Sequence, residues 1–402
     1  MKVPTYDDVV RARSVIAPHL PRTPTLSHPG LSRLLGCDLR VKHENHLPTG
    51  AFKVRGGVNL LATLSEEEKA RGLVTATRGN HGLSIAWAAR LFGVRAVIVV
   101  PHGNNPEKNE GMLALGAELV VHGRDFDEAR AHVAERVAAE GLREVHPANE
   151  PALIAGVGTG ALEIFEDVEA VDVLVVPIGL GSGISGACLV RERVSPTTIV
   201  IGVQAERAPA VYRSWKEKRT VTTDSADTIA DGLATRMPAE LTLSMIDRMV
   251  DRIVTVSEEE ILEAMARYLR HTHNLAEGAA AAGLAAAFRL RDELRGRRVV
   301  VVLSGSNVDA ATLRRVLAEV PRRVSLTIYG RADCELCDEM KAEITEATAG
   351  VPHDLAEVDV ATDPRLERRF GLDVPVLFLE GHEIARHRIS ARELRGLLRS
   401  RA

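Results

Sequence analysis

Four short runs constrain the fold more than any other feature of this chain. "VRAVIVVP" (94–101), "VDVLVVP" (171–177), "TIVIGVQA" (198–205) and "RVVVVLSG" (298–305) are nearly all apolar and rich in β-branched residues. A strand apolar on both faces must be covered on both, which is the condition of a parallel sheet between helices. Helical patterns fill the intervals. "HGLSIAWAARLFG" (81–93), "KNEGMLALGAEL" (108–119), "DEARAHVAERVAAEG" (127–141) and "SEEEILEAMARYLRHTH" (257–273) carry apolar residues at helical spacing. The last opens on Ser257 and three acids, which suits a helix N-terminus. Strand and helix in alternation predict a doubly wound α/β architecture.

A second regime starts near Val320. The break "EVPRRV" (319–324) leads into a strand "VSLTIYG", a helix "CELCDEMKAEITEATAG", a strand "HDLAEVDV" and a helix "DPRLERRFG". A strand pair "VPVLFLEG" and "HEIARHRI" and a helix "SARELRGLLRS" complete it. This β-α-β-α-β-β-α order makes a complete small domain of about 80 residues. The expected organisation is a large domain over 1–320, with a small subdomain of roughly 43–150 inserted, and a second domain over 324–402.

Charge and cysteine content exclude several classes. With 51 basic against 55 acidic residues and no dense basic run, neither nucleic acid nor a membrane is an expected partner. No window of about 18 apolar residues exists to span a bilayer, and the charged N-terminus carries no apolar signal region. Four cysteines (Cys37, Cys188, Cys334 and Cys337) are too few for a disulfide scaffold. The expectation is a soluble cytoplasmic protein.

Chemistry enters with "HLPTGAFKVRGG" (46–57), where Lys53 stands between a Thr-Gly turn and a Gly-Gly pair. Such a frame lets something bulky reach the amine, although most lysines are simply solvated. In "VPIGLGSGISG" (176–186), Gly179, Gly181, Gly183 and Gly186 follow an apolar strand and precede a helical stretch. Backbone N–H groups of such a loop converge on a phosphate at a helix N-terminus; a plain tight turn is the other reading. In "TATRGNHGLS" (75–84), Asn80 and His81 open a helix and make a carboxylate cradle. In "LSGSN" (303–307), Ser304 falls at a strand's carboxyl end, where α/β ligands bind. A reactive lysine, a phosphate cradle, a carboxylate cradle and a polar tip together point to pyridoxal phosphate held as a Schiff base.

On these motifs residues 1 to about 318 resemble the threonine dehydratase (threonine ammonia-lyase) and serine racemase group of fold-type II pyridoxal-phosphate enzymes. "PTGAFKVRGG", "GNHG", "GLGSGISG" and "LSGSN" occur in family order, and "TIADGLA" (228–234) and "AEGAAAAG" (276–283) match further segments. The resemblance implies a fold of two doubly wound α/β subdomains, and it implies a role for each residue. Lys53 carries the cofactor and Phe52 packs beside its ring. Asn80 bonds the ring hydroxyl. Gly179, Leu180, Gly181, Ser182 and Gly183 hold the phosphate, and Ser304 faces the pyridine nitrogen. Thr77, Arg78, Gly79 and His81 line the substrate carboxylate. The implied reaction is β-elimination, with Lys53 as general base, turning L-threonine into 2-oxobutanoate and ammonia or L-serine into pyruvate and ammonia. A homo-oligomer is implied too.

Three positions depart from the family pattern. Arg78 stands where racemases place a serine acid/base, and an arginine does not give up its proton, so racemisation is disfavoured. It either grips a carboxylate, including a second one on a hydroxyaspartate-like substrate, or points to solvent or a neighbouring acid. Tyr212 stands where relatives that bind a divalent cation have an acid, after Glu206 and Ala210, so no metal site is expected. Val157 replaces a common glutamine, which puts a contact near the substrate in doubt.

In "YGRADCELCDEM" (329–340), Cys334 and Cys337 have C-x-x-C spacing between strand and helix, where a helix N-terminus favours thiolate. With Pro375 opening a later strand, residues 324–400 resemble the thioredoxin fold, specifically small glutaredoxin-like proteins. The resemblance implies a cis Val374–Pro375 bond, catalytic Cys334 and Cys337, and glutathione or another thiol as partner. Glu335-Leu336 replaces the usual Pro-aromatic pair between the cysteines. A half zinc site and two inert thiols remain alternatives. Cys37 and Cys188 read as small apolar residues. The leading expectation is a threonine/serine dehydratase with a redox-active tail. A hydroxyaspartate dehydratase or racemase on the same scaffold, and a thiol-disulfide module with an accessory large domain, are the rivals.

Overall fold

The strand Arg298–Leu303 shows why a continuous apolar run is needed. In the computed structural model it lies inside a six-stranded sheet. The order is Thr25–Ser27, Asp38–His43, Arg298–Leu303, Val173–Pro177, Ile199–Ala205, Arg252–Val256. All pairs are parallel except the edge pair of Thr25–Ser27 with Asp38–His43. Val299, Val300, Val301 and Leu303 are fully buried, covered on both faces by helices as the run demands. A second, wholly parallel sheet orders Glu118–Val121, Ala96–Val100, Leu73–Ala76 and Arg143–Glu144. The structure describes residues 2–320 and 323–399. Pro321 and Arg322 of the expected break, and the last three residues of the chain, lie outside the described residues.

Local signals set most helix ends. Asn80–Phe92 closes on Gly93 in the left-handed region. Phe126–Glu140 is capped by Asp125, and Glu258–Thr272 by Ser257 through a capping box with Glu260. One reading is corrected. The helix expected over 108–119 runs Pro106–Ala114, and Glu118–Val121 is a strand. Gly116, at φ 89°, takes the chain out of the helix, and the edge strand is too short and exposed to show a strand pattern.

Beneath the large sheet lies a cluster of four buried charges. Arg55 binds Glu44 at 2.7 Å and Glu163 at 2.8 Å, and Lys42 binds Glu163 at 2.7 Å. Burial alone would raise the Glu163 carboxyl, but Arg55 and Lys42 outweigh it and hold it low. The cluster ties the helix Lys53–Thr63 to the strand Asp38–His43 and the helix Pro151–Asp167.

The C-terminal segment forms its own four-stranded sheet, ordered His353–Asp359, Val324–Gly330, Val376–Leu379, His382–Arg386. The first two strands pair parallel and the others antiparallel. Its core is separate, and Tyr329, Phe370 and Phe378 pack tilted or edge-on against one another beside it. The edge strand His353–Asp359 packs against the helix Pro29–Leu35 of the large region. Asp354 accepts from Arg323 at 2.7 Å and from the buried Arg267 at 3.1 Å, and Arg323 also binds Glu263 at 2.7 Å.

Candidate functional sites

Parallel strands deliver their carboxyl ends to one crevice between the two large-region sheets. Leu73–Ala76 leads into Thr77–His81, Val173–Pro177 into Gly179–Gly183, and Arg298–Leu303 into Ser304. The helix bearing Lys53 is fastened to the last of these: Phe52 N–H donates to Ser304 O at 3.0 Å, and Ala51 bridges Gly305. One cavity is lined by Phe52, Lys53, Thr77, Arg78, Gly79, Asn80, His81, Gly179, Leu180, Gly181, Ser182, Gly183 and Ser304. All the residues expected in the large-region site are therefore brought together.

Lys53 Nζ donates to Ser182 Oγ at 2.7 Å and to Pro147 O at 3.2 Å. Burial pushes its pKa down to about 8, so near physiological pH the amine is still mostly protonated, but far more of it is neutral than in an exposed lysine. Gly181, at φ 97°, precedes the helix Ser182–Val194, whose first N–H groups have no partner inside the helix. A Cβ on Gly181 would lie 2.7 Å from Ile246, and one on Gly179 would lie 2.3 Å from Gly232 O, so this loop needs its glycines. These free donors at a positive helix end fit a phosphate. The lysine, the neutral Ser304 and the amide of Asn80 fit the ring of pyridoxal phosphate.

The 75–84 segment works differently from a simple cradle. Thr77 Oγ1 accepts from Gly79 N–H at 2.9 Å and Gly82 N–H at 3.2 Å, so it shapes the loop. His81 Nε2 lies 2.9 Å from Thr75 Oγ1, and burial reinforced by Lys53 keeps the ring neutral. Asn80 donates to Glu277 at 2.5 Å and accepts from Asn307 at 2.8 Å. Lys108 binds Asp231 at 2.6 Å and Glu277 at 3.1 Å. Burial opposes charge on Lys108, but Glu277 and Asp231 outweigh it and raise its pKa. Sequence reasoning missed this network. Asp231, Glu277 and Asn307 sat in noted segments without a role, and nothing marked Lys108. Val157 lines a second, smaller cavity behind Phe52 rather than this one, so the lost glutamine contact does not fall in the cavity that holds Lys53.

Glu206 is paired with Arg289 at 2.9 Å. Among the described residues no group of three or more His, Cys, Asp or Glu side chains could hold a metal, and no helix is long and apolar enough to cross a membrane. Cys37 and Cys188 are buried, with thiols pushed up to about 12 by burial. In the C-terminal region Cys334 and Cys337 form a disulfide with Cα atoms 5.2 Å apart. Cys334 caps the helix Glu335–Ala347, its Sγ accepting from Cys337 N–H at 3.2 Å. The Val374–Pro375 bond is cis.

Comparison with known proteins agrees with both regions. A family described as pyridoxal-phosphate dependent enzyme matches residues 16–305, and one described as glutaredoxin-like domain matches 325–399. An L-threonine ammonia-lyase of Thermotoga maritima is 38% identical over 313 residues, 78% of either chain. A beta-hydroxyaspartate dehydratase of Paracoccus denitrificans is 36% identical over 310 residues, covering 77% of this chain and 98% of the relative. Among solved structures, maize serine racemase has a TM-score of 0.74 at 29% identity over 79% of this chain and 98% of its own. The processed threonine deaminase isoform 2 of Solanum lycopersicum has a TM-score of 0.73 at 28% identity over 79% and 96%.

Proposed function

The chain belongs to the pyridoxal-phosphate dependent enzymes, as an ammonia-lyase that carries a glutaredoxin-like domain; from that premise we propose that it deaminates L-threonine, and L-serine beside it. The observation that carries this reading is the single cavity in which Lys53, the glycine loop, Asn80 and Ser304 meet. When bound, pyridoxal phosphate supplies an electron sink for the substrate's α-carbon. The chain supplies the rest. The glycine loop and the N-terminus of Ser182–Val194 hold the phosphate. Asn80, fixed between Glu277 and Asn307, bonds the ring hydroxyl. Ser304 is a neutral partner for the ring nitrogen and does not impose a proton on it.

Lys53 then acts as the base. Its amine, weakened by burial, takes the proton from the α-carbon. The electron pair left behind forms the Cα–Cβ double bond as the β-hydroxyl departs as water, its added proton balanced by the one Lys53 removed from the α-carbon. Hydrolysis of the released enamine returns that water and gives 2-oxo acid and ammonia. No oxidant or reductant is consumed. The test is release of 2-oxobutanoate and ammonia in equal amounts from L-threonine by the reconstituted protein. Absence of both, from threonine and serine alike, overturns the reading.

The second region supports a separate reading, thiol-disulfide exchange with a thiol partner. Half-buried Cys334 at a helix N-terminus is the attacking sulfur, and buried Cys337 resolves the mixed disulfide. Reduction of a small disulfide, lost in Cys334→Ser, tests it.

A further inference from the structure

Among the described residues, Arg78 is the cation of the cavity wall that has neither an ion pair nor a hydrogen bond. Lys108 is neutralised by Asp231 and Glu277, and Lys53 is held by Ser182 and Pro147 O. The nearby carboxylates are committed elsewhere. Asp231 and Glu277 serve Lys108, Glu277 also takes Asn80, and Asp309 accepts from Asn105 at 3.3 Å and Thr312 N–H at 2.6 Å. Among the described residues Arg78 takes no carboxylate partner, and its Nε is buried without a hydrogen bond. A buried guanidinium donor without an acceptor is costly.

Its position says what would answer it. Arg78 lines the cavity with Lys53 and also an adjoining polar groove formed with Asn105, Asp309 and Thr312. It therefore faces both the cavity of Lys53 and the groove beside it, so a substrate held at Lys53 whose side chain extends toward that groove meets Arg78. The glycine loop, with the free N–H groups of the Ser182–Val194 helix, already suits a phosphate, so Arg78 is not needed for one. We infer that Arg78 is a specificity-determining residue that binds a second carboxylate, on the β-carbon of the substrate. Among 3-hydroxy amino acids, the ones with an acidic side chain would then be used best. A planar fork suits a carboxylate in two-point contact.

This rests on the lyase reading, and the test keeps the two apart. The holoenzyme, Arg78→Ala and Arg78→Lys are compared on L-threonine, L-serine and L-threo-3-hydroxyaspartate. Binding of malate, a hydroxy diacid without an amine, and of 2-hydroxybutanoate is measured by calorimetry. In Arg78→Ala, kcat/KM on hydroxyaspartate should fall at least about 10-fold further than on threonine, chiefly through KM, as loss of a charge-assisted hydrogen bond implies. Arg78→Lys should recover part of that loss. Wild type should bind malate in preference to 2-hydroxybutanoate, and Arg78→Ala should not. An equal fall on all three substrates, or a malate preference that survives in Arg78→Ala, overturns the inference. If no substrate is turned over, the lyase reading falls, and malate binding alone decides on Arg78.

Discussion

The cofactor cavity and the cysteine pair are built on opposite plans. The cavity gathers Lys53, Thr77–His81, Gly179–Gly183 and Ser304 from segments up to 251 residues apart, each at the carboxyl end of a parallel strand or on a helix tied to one. The cysteine pair occupies four consecutive residues at one helix N-terminus. The first site depends on the packing of a whole domain, whereas the second depends on one turn. Damage to the buried framework should therefore cost the first site far more than the second.

The largest such effect should come from the charge cluster behind Lys53. Glu163→Ala leaves Lys42 and Arg55 buried without their shared partner and should destabilise the large region by about 3–5 kcal/mol. Denaturant unfolding followed at the two tryptophans, Trp87 and Trp215, would measure it, since both lie in the large region. The Cys334–Cys337 exchange rate should not follow. If both regions lose stability together, the contrast between them is wrong.

A smaller effect belongs to the junction. Asp354→Ala removes the acceptor shared by Arg267 and Arg323 and should cost about 1–3 kcal/mol. It should appear as earlier proteolysis between the regions, with the lyase rate retained. A lyase rate that falls in step would show that the C-terminal region supports the cavity.

The pH dependence of cofactor uptake sharpens the comparison further. With the Lys53 amine at about 8 in the fold against an ordinary 10.5, protons leave it earlier in the folded state. Between these values the unfolded chain binds more protons, so the contribution of Lys53 to apoprotein stability rises with pH. Uptake of pyridoxal phosphate, followed by absorbance, should rise through pH 8 and then level off. A rise continuing toward 10.5 would mean that burial does not act on this amine.

What could be read in advance followed the same division. The apolar strands were legible because a strand buried on both faces admits little else. Lys53, the glycine loop and Ser304 were legible because each sits in a short motif at a strand or helix end. The cysteine pair was legible from its C-x-x-C spacing, which by itself left a half zinc site and two inert thiols open beside a redox pair. Lys108 was not, since its partners Asp231 and Glu277 lie more than 120 residues away and no local pattern links them. The Lys42–Arg55–Glu44–Glu163 cluster escaped for the same reason. Glu118 and Leu119, the first half of the strand Glu118–Val121, fall inside the helical pattern of 108–119 because an exposed edge strand carries no buried period.

The most direct measurement crosses the two sites. Release of 2-oxo acid from L-threonine, L-serine and L-threo-3-hydroxyaspartate, and reduction of a small disulfide, are followed in wild type, Lys53→Ala and Cys334→Ser. The account predicts that Lys53→Ala loses 2-oxo acid release by at least about 100-fold while disulfide reduction persists, and that Cys334→Ser does the reverse. Release that survives in Lys53→Ala, or disappears in Cys334→Ser, would contradict it.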